Sequence, residues 1–292
     1  MIPRVTQNMM SDQFLADLND IYGRMAKVHA QLTSGKAIRR PSDDPPGAVQ
    51  ALSLRSTLEL NTQYLRTIDF STIWLDTSES ALGTLTDVVQ RARELAVQGT
   101  NDTLNAQDRA AMGKELEQLV GSAIAAANTS GTAGFLFSGA KSTTTPFVLA
   151  ASTVTYDGDT TTMSREIGPS LQIAINVTGD RLTQTLQTLV DVRDAMNSGS
   201  GSAIGAGIGQ LDTSLDQLMQ IRAEVGARVN RFGFAGERLL DVQLQLQTLL
   251  SQVEDADTVK TATKFAQEQT VFQAALKSGA QAIQPSLLDF LR

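Results

Sequence analysis

The sequence of 292 residues contains no cysteine, one histidine, one tryptophan and only 5% aromatic residues. Without cysteine there is no disulfide and no thiolate metal site, and the redox compartment leaves no mark. With so few aromatics, any core is built from Leu, Ile, Val, Ala and Met. A formal charge of −7 argues against nucleic acid as a partner, because phosphate binding needs clustered Lys and Arg. No apolar run approaches the roughly 18 to 20 residues needed to cross a bilayer, so membrane insertion is not expected. Met1-Ile2-Pro3-Arg4-Val5-Thr6 lacks the apolar core of a cleavable signal peptide and reads as a frayed start; these features alone suggest a cytosolic protein. Only seven prolines are present, none between Gly47 and Thr145 or between Leu211 and Gln284. Both stretches can therefore hold long helices.

What is present is a heptad. Phe14, Leu18, Ile21, Met25, Val28 and Leu32 recur at alternating steps of four and three, the period of a coiled-coil seam. A stripe so narrow needs a second helix, and the best candidate is at the far end of the chain. There Leu239, Val242, Leu246, Leu249, Val253 and Ala256 repeat the spacing, and Phe265, Phe272, Leu276 and Ile283 continue the face after a drift in phase. The two ends are expected to pair with each other and with neighbouring copies. Isolated amphipathic termini are marginal in water, so their folding is expected to be coupled to assembly.

Between the ends, the first helix should stop at Thr33-Ser34-Gly35, where glycine takes the left-handed position. Asp43 or Asp44 before Pro45 and Pro46 signals the next helix start, a carboxylate cap followed by proline in the first turn. One helix should run to about Gln98, break at Gly99-Thr100-Asn101-Asp102, and be followed by another over about 105–128, its apolar face starting at Leu104. Residues 129–179 are rich in Gly, Thr and Ser. Phe135-Leu136-Phe137, Val154-Thr155-Tyr156 and the run from Leu171 to Val177 read as strands, with a turn at Asp157-Gly158. Helix resumes over 180–196, residues 197–209 read as a flexible Gly/Ser loop, and one helical block follows to Pro285, leaving a short apolar tail over 286–292. The fold class is mainly α with a small β insert, a long-helix hairpin or bundle. Its domains are a coiled-coil domain from 1–40 and 245–292, a long-helix bundle from 41–130 and 180–244, and a β-rich insert over 131–179.

Catalytic signals are weak. Asp43-Asp44 reads as a capped turn before proline, not as a carboxylate pair, and His29 has no partner His or Cys. Gly199-Ser200-Gly201 and Gly205-Ala206-Gly207 lack the preceding strand of a phosphate loop. Tyr156-Asp157-Gly158-Asp159 reads as a hairpin turn because the rest of a calcium loop is missing. Asp255-Ala256-Asp257 reads as solvated helix surface. No nucleophile–base constellation appears, so no catalytic, cofactor-binding or metal-binding residue is assigned and no cofactor is expected.

Leu32-Thr33-Ser34-Gly35-Lys36-Ala37-Ile38 with Ser42-Asp43-Asp44-Pro45-Pro46-Gly47 resembles the N-terminal signature LSSGxxIxxxxDDPAG of bacterial flagellins, with Pro46 in place of the usual Ala. Arg222-Ala223-Glu224-Val225-Gly226-Ala227-Arg228-Val229-Asn230-Arg231 resembles the C-terminal RAxxGAxxNR segment, whose chief positions here are Arg222, Gly226, Ala227, Asn230 and Arg231. The Gly233-Phe234-Ala235-Gly236 that follows predicts a looser helix. Gly134-Phe135-Leu136-Phe137-Ser138-Gly139, Pro146-Phe147 and Tyr156-Asp157-Gly158-Asp159 are similar to a run of the hook-associated branch, which joins hook to filament; filament flagellins usually lack it.

The resemblance implies a non-enzymatic structural adaptor at the hook–filament junction. Its terminal helices would form the inner coiled-coil domain of a tube, with the β insert outermost. Its implied partners are copies of itself, the other junction protein (hook-associated protein 1), flagellin and a flagellar export chaperone. It implies an extracellular place in the flagellum, reached through the flagellar export apparatus without a cleaved signal peptide, which replaces the cytosolic expectation. The rival readings are a short filament flagellin, an intracellular coiled-coil dimer, and a secreted hydrolase or adhesin.

Overall fold

The structure, a computed structural model, describes residues 7–101, 105–131 and 133–283. The frayed start, Leu104, the helix end at Pro285 and the apolar tail lie outside them. The chain divides into two compact units, one within Met1–Glu59 and Gln243–Arg292, the other Leu60–Val242.

The terminal unit is built on helices α1 (Gln7–Ser34) and α6 (Thr258–Ile283), with the start of α2 (Pro45–Gly99) and the end of α5 (Gly201–Glu254). Helix α1 ends as its sequence dictates. Gly35 takes φ +69° and its N–H returns to the Gln31 carbonyl. The ring of Tyr22 lies 6.2 Å from that of Phe272, and His29 lies 5.5 Å from Phe265. Numbers fall along α6 as they rise along α1, so the pair is antiparallel.

The second unit contains the rest of α2 and α5, with α3 (Ala106–Ala127) and α4 (Asp180–Ser198). Asn105 caps α3 by accepting from the Asp108 N–H at 2.8 Å. The core runs through Leu75, Leu82 and Val89 of α2, Leu116 of α3, Leu189 of α4 and Leu218 and Phe232 of α5, all 0% exposed. Residues 201–209 are helix, against the loop expectation. Ile204 is fully buried, and a Cβ at Gly207 would meet the Val192 side chain at 2.6 Å. Gly207 lets α5 approach α4 closely, and that packing, with Ile204 buried, overrides the low helix propensity of the segment. Helix α5 also runs unbroken through 233–236, where the sequence suggested loosening; Gly236 lies against Ile68.

The insert consists of three separate antiparallel hairpins: β1 (Ser130–Gly131) with β2 (Gly134–Phe135), β3 (Phe147–Ala150) with β4 (Thr153–Tyr156), and β5 (Ser164–Gly168) with β6 (Leu171–Ala174). Isolated hairpins are marginal, and amide side chains tie these down. Asn128 exchanges two hydrogen bonds with the Phe147 backbone at 2.8 and 2.9 Å. Gln187 accepts from the Val154 N–H at 2.9 Å, and Asn176 bridges Met163 and Thr161. The sequence placed the strands broadly but not their ends. Leu136 and Phe137 are core residues beyond β2, the last strand stops at Ala174, and Asp157-Gly158 closes no hairpin. The β3–β4 turn is at Ala151-Ser152, with Ala151 at φ 55°.

Candidate assembly site

In α1 the heptad positions are the ones turned inward. Val28 is buried, and Phe14, Leu18, Ile21, Met25 and Leu32 are half-buried, while most intervening residues are exposed. Across from them α6 presents Thr261, Phe265, Glu268, Phe272, Ala275 and Gly279, again in steps of four and three. A Cβ at Gly279 would stand 1.9 Å from the Phe14 ring, so glycine is what lets Phe14 seat. The expected phase needs two corrections. Leu276 is 43% exposed and Leu249 is 46% exposed; Ala275 and Leu250 are turned inward in their places, beside Leu246 and Val253. The drift past residue 253 is a break in the helix, which the sequence reading took as continuous. Beyond the seam, Leu15, Tyr22, Leu249, Val259 and Leu276 point outward.

The break is also where Asp255-Ala256-Asp257 proves to be more than solvated helix surface. Asp257 caps α6, accepting from the Lys260 N–H at 3.0 Å. The N–H of Ala37 donates to Glu254 O at 2.7 Å and that of Ala256 to Gly35 O at 2.9 Å. Lys36 bridges Glu254 and Asp255 at 3.4 and 3.1 Å, and Arg55 pairs with the same Glu254 oxygen. The Asp255 carboxyl is held below its ordinary pKa by the Ser251 hydroxyl and by Lys36. The motif after α1 is thus strapped across the α5–α6 break. Arg55 and Glu254 were not singled out from sequence, Lys36 appeared only within the N-terminal signature and Asp255 only as helix surface; the signal within reach was the Asp257-Thr258 cap.

Ser34 donates to Ala30 O at 2.8 Å, and Pro45 opens α2, as the sequence indicated. Asp43 does not cap α2. Its carboxylate turns back to accept from the N–H groups of Arg39 and Arg40 at 3.2 and 3.1 Å, and lies 2.9 Å from Lys27 Nζ. Asp44 supplies the carbonyl that receives Ala48 N–H. Gly47 is buried, and a Cβ there would meet Asp44 and Ile38 at 2.4 and 2.6 Å. The Lys27 ammonium and the two N–H groups lower the Asp43 pKa from 3.8 to about 2. A depressed carboxyl contributes stability above its unfolded pKa and loses it as pH falls through the folded value. The protection factors of the Arg39 and Arg40 amides, measured relative to their intrinsic exchange, should therefore fall as pH drops from 3.8 towards 2, and Asp43→Asn should remove that step.

In the second unit, Arg222 of α5 donates to Glu79 at 2.7 Å. Its motif neighbour Glu224 takes both nitrogens of Arg181 at 2.7 and 3.0 Å, which lowers the Glu224 pKa. Arg228 reaches Asn176 O at 2.7 Å. Gly226, Ala227, Asn230 and Arg231 are exposed. The motif thus has one face holding the unit together and one face free.

The central run of the sequence comes together around Tyr156. Its hydroxyl lies 2.9 Å from Phe137 O and 2.7 Å from Asp159 O, and receives the Gly179 N–H at 3.3 Å. Burial raises the phenol's pKa. The Asp159 carboxylate accepts from the N–H groups of Ala140 and Thr161 at 2.8 and 3.0 Å, which lower its pKa. Gly139, at φ +66°, and Gly179 both lie where a Cβ would collide, the first with Asp159 and the second with Tyr156 and Phe137 O.

The model of the bacterial flagellin N-terminal helical region matches residues 5–142, and that of the C-terminal helical region matches residues 208–291. The chain belongs to the bacterial flagellin family. Within it, the chain is 26% identical over 304 residues to flagellar hook-associated protein 3 of Escherichia coli, covering 94% of this chain and 95% of the relative. It is 27% identical over 266 residues to flagellin FlaB2 of Treponema pallidum, covering 90% of each. The crystal structure of Bacillus cereus FlgL shares its fold, with a TM-score of 0.62 at 22% identity over 68% of this chain and 99% of that one. The N-terminal match takes in the β1–β2 hairpin, while the other two hairpins and α4 lie in neither match. Among the described residues no helix is long and apolar enough to cross a membrane.

Proposed function

We propose that the chain is a non-enzymatic structural subunit of the bacterial flagellum that joins hook to filament. The observation that carries this reading is the Tyr156 knot. The runs 134–139 and 156–159, which resemble the hook-associated branch, meet at one hydroxyl and so act as one structural device. The near full-length match to hook-associated protein 3 supports the same branch. The helical arms, 1–40 and 245–292, form the inner coiled-coil domain. Residues 41–130 and 180–244 form the bundle, and 131–179 the outer insert. The arms pack against copies of this chain, hook-associated protein 1 on the hook side and flagellin on the filament side. The outward apolar side chains of α1 and α6 suit that role, since two helices with one seam are an incomplete bundle. The subunit leaves the cell through the flagellar export apparatus, without a cleaved signal peptide and with a cytosolic chaperone. Immunogold labelling of intact flagella with an antibody to residues 130–180 tests this. The expected result is one narrow band between hook and filament. Label along the whole filament would make the chain a flagellin, and no label on flagella would favour an intracellular coiled-coil dimer.

A further inference from the structure

Helices α2 and α5 pass each other antiparallel in the second unit: Asn61 donates to Leu239 O at 2.8 Å and Arg222 to Glu79 at 2.7 Å. The face of α2 that meets the core carries Ile68, Ser71, Leu75 and Ser78, and that of α5 carries Val225 and Phe232, all buried. On the far side of each helix lies a stripe of side chains with no use inside the chain. On α2 it reads Arg66, Asp69, Ile73, Asp76; on α5 it reads Arg231, Phe234, Arg238, Asp241. All eight are exposed, Ile73 by 60% and Phe234 by 72%. Among the described residues, the side chains of the six charged ones make no hydrogen bond or ion pair.

The two stripes match when laid antiparallel. The steps on α2 are three, four, three; the steps on α5 are three, four, three. Opposed in reverse order, Asp76 meets Arg231, Ile73 meets Phe234, Asp69 meets Arg238 and Arg66 meets Asp241. Every charged rung is of opposite sign, including the last, where the signs are exchanged. A parallel alignment sets Arg66 against Arg231 and fails at once. Residues three and four apart share one helix face, so all four rungs are formed at one helix crossing. Because each stripe faces away from the shared core, a chain cannot close its own pair.

We infer that α2 of one copy docks antiparallel on α5 of a second copy through these stripes, with Ile73 on Phe234 at the centre and charged rungs around it. This rests on the self-assembly proposed above and specifies its lateral contact. The two surfaces differ, so the contact is head-to-tail and leaves a free stripe at each end, the arrangement that builds rings or helical arrays. The apolar pair supplies the buried centre, while the charged rungs fix direction and register.

The absence of cysteine makes the test clean. The full chain carrying both Ile73→Cys and Phe234→Cys replaces the wild type in cells, and isolated flagella are oxidised and run without reductant. A ladder of multimers is expected, with Ile73→Cys alone and Phe234→Cys alone remaining monomeric. A doubly substituted chain that is present in flagella but stays monomeric overturns the contact and leaves the assembly reading standing. Dimers from either single variant overturn the head-to-tail geometry. Absence of the wild-type chain from flagella overturns the assembly reading and this inference with it. As a second readout, Arg231→Glu with Arg238→Glu should abolish incorporation, as should Asp69→Lys with Asp76→Lys. Co-expressing the two variants should restore it, because each then offers the other complementary stripes. Failure of that rescue while both variants fold argues against the pairing.

Discussion

Leu18→Asp is expected to unzip α1 from α6, abolish incorporation into flagella and leave the second unit folded. Leu18 is half-buried at the middle of the α1 seam, between Phe14 and Ile21. The substitution removes apolar contact and places a carboxylate on the stretch of seam between the Phe14–Gly279 and Tyr22–Phe272 contacts. A charge without a partner in such a place costs several kcal/mol, roughly 3 or more. A two-helix pair has little reserve, because short helices are held by tertiary packing and not by propensity. Circular dichroism should lose helical signal corresponding to up to the 28 residues of α1 and the 26 of α6, while the thermal transition of the second unit persists. Leu249→Asp separates folding from assembly. Leu249 is 46% exposed, so its loss should leave the helical signal intact and still prevent incorporation if the outward apolar side chains pack on neighbours. Normal motility in both variants would count against the arms as the assembly device.

The α1 seam was legible because its heptad is unbroken and its end is marked by Gly35, which needs a left-handed backbone. The long α2 was legible for a similar reason: Pro45 marks its start, and Gly99-Thr100-Asn101 breaks the helical pattern within a proline-free run. The α5–α6 break was not. What braces it lies far away in sequence, in the strap of Gly35, Lys36 and Ala37 that pairs with Glu254, Asp255 and Ala256. No proline or glycine marks it locally, so the heptad was carried through the break and fell on Leu276; the slip at Leu249 lies before the break, within α5. The helical stretch 201–209 was hidden for the opposite reason. Its glycines signal a loop locally, and only the burial of Ile204 and the proximity of Val192 to Gly207 favour the helix. The motif at Arg222 was visible as a string, but its partners Glu79, Arg181 and Asn176 come from three other parts of the chain.

Phe137→Ala should unseat the whole insert from the helices. Phe137 is 0% exposed and is among the largest fully buried side chains. Truncating a buried Phe costs about 3–5 kcal/mol, a lost transfer term plus the cavity left behind. The cost here should fall at the upper end, because the backbone around Phe137 cannot relax inward. Its carbonyl faces the Tyr156 hydroxyl at 2.9 Å, and that hydroxyl is tied to Gly179 and Asp159 as well. Three hairpins that share no strand reach the core through such links and through the buried Phe147, Val154, Ile167 and Ile173, so loss of the anchor weakens the hold on the insert. Tyr156→Phe separates the two contributions. It keeps the ring against Phe147, 5.3 Å away, and removes only the hydroxyl, at about 1–3 kcal/mol for the buried groups left unpaired. Chemical denaturation should rank the variants Phe137→Ala below Tyr156→Phe below wild type, and proteolysis should cut first within 130–180. Equal stability of all three would mean the knot is decoration on an independently stable helical unit. In that case the branch-specific run would have to serve contact with a neighbour directly, and not through the shape of the insert.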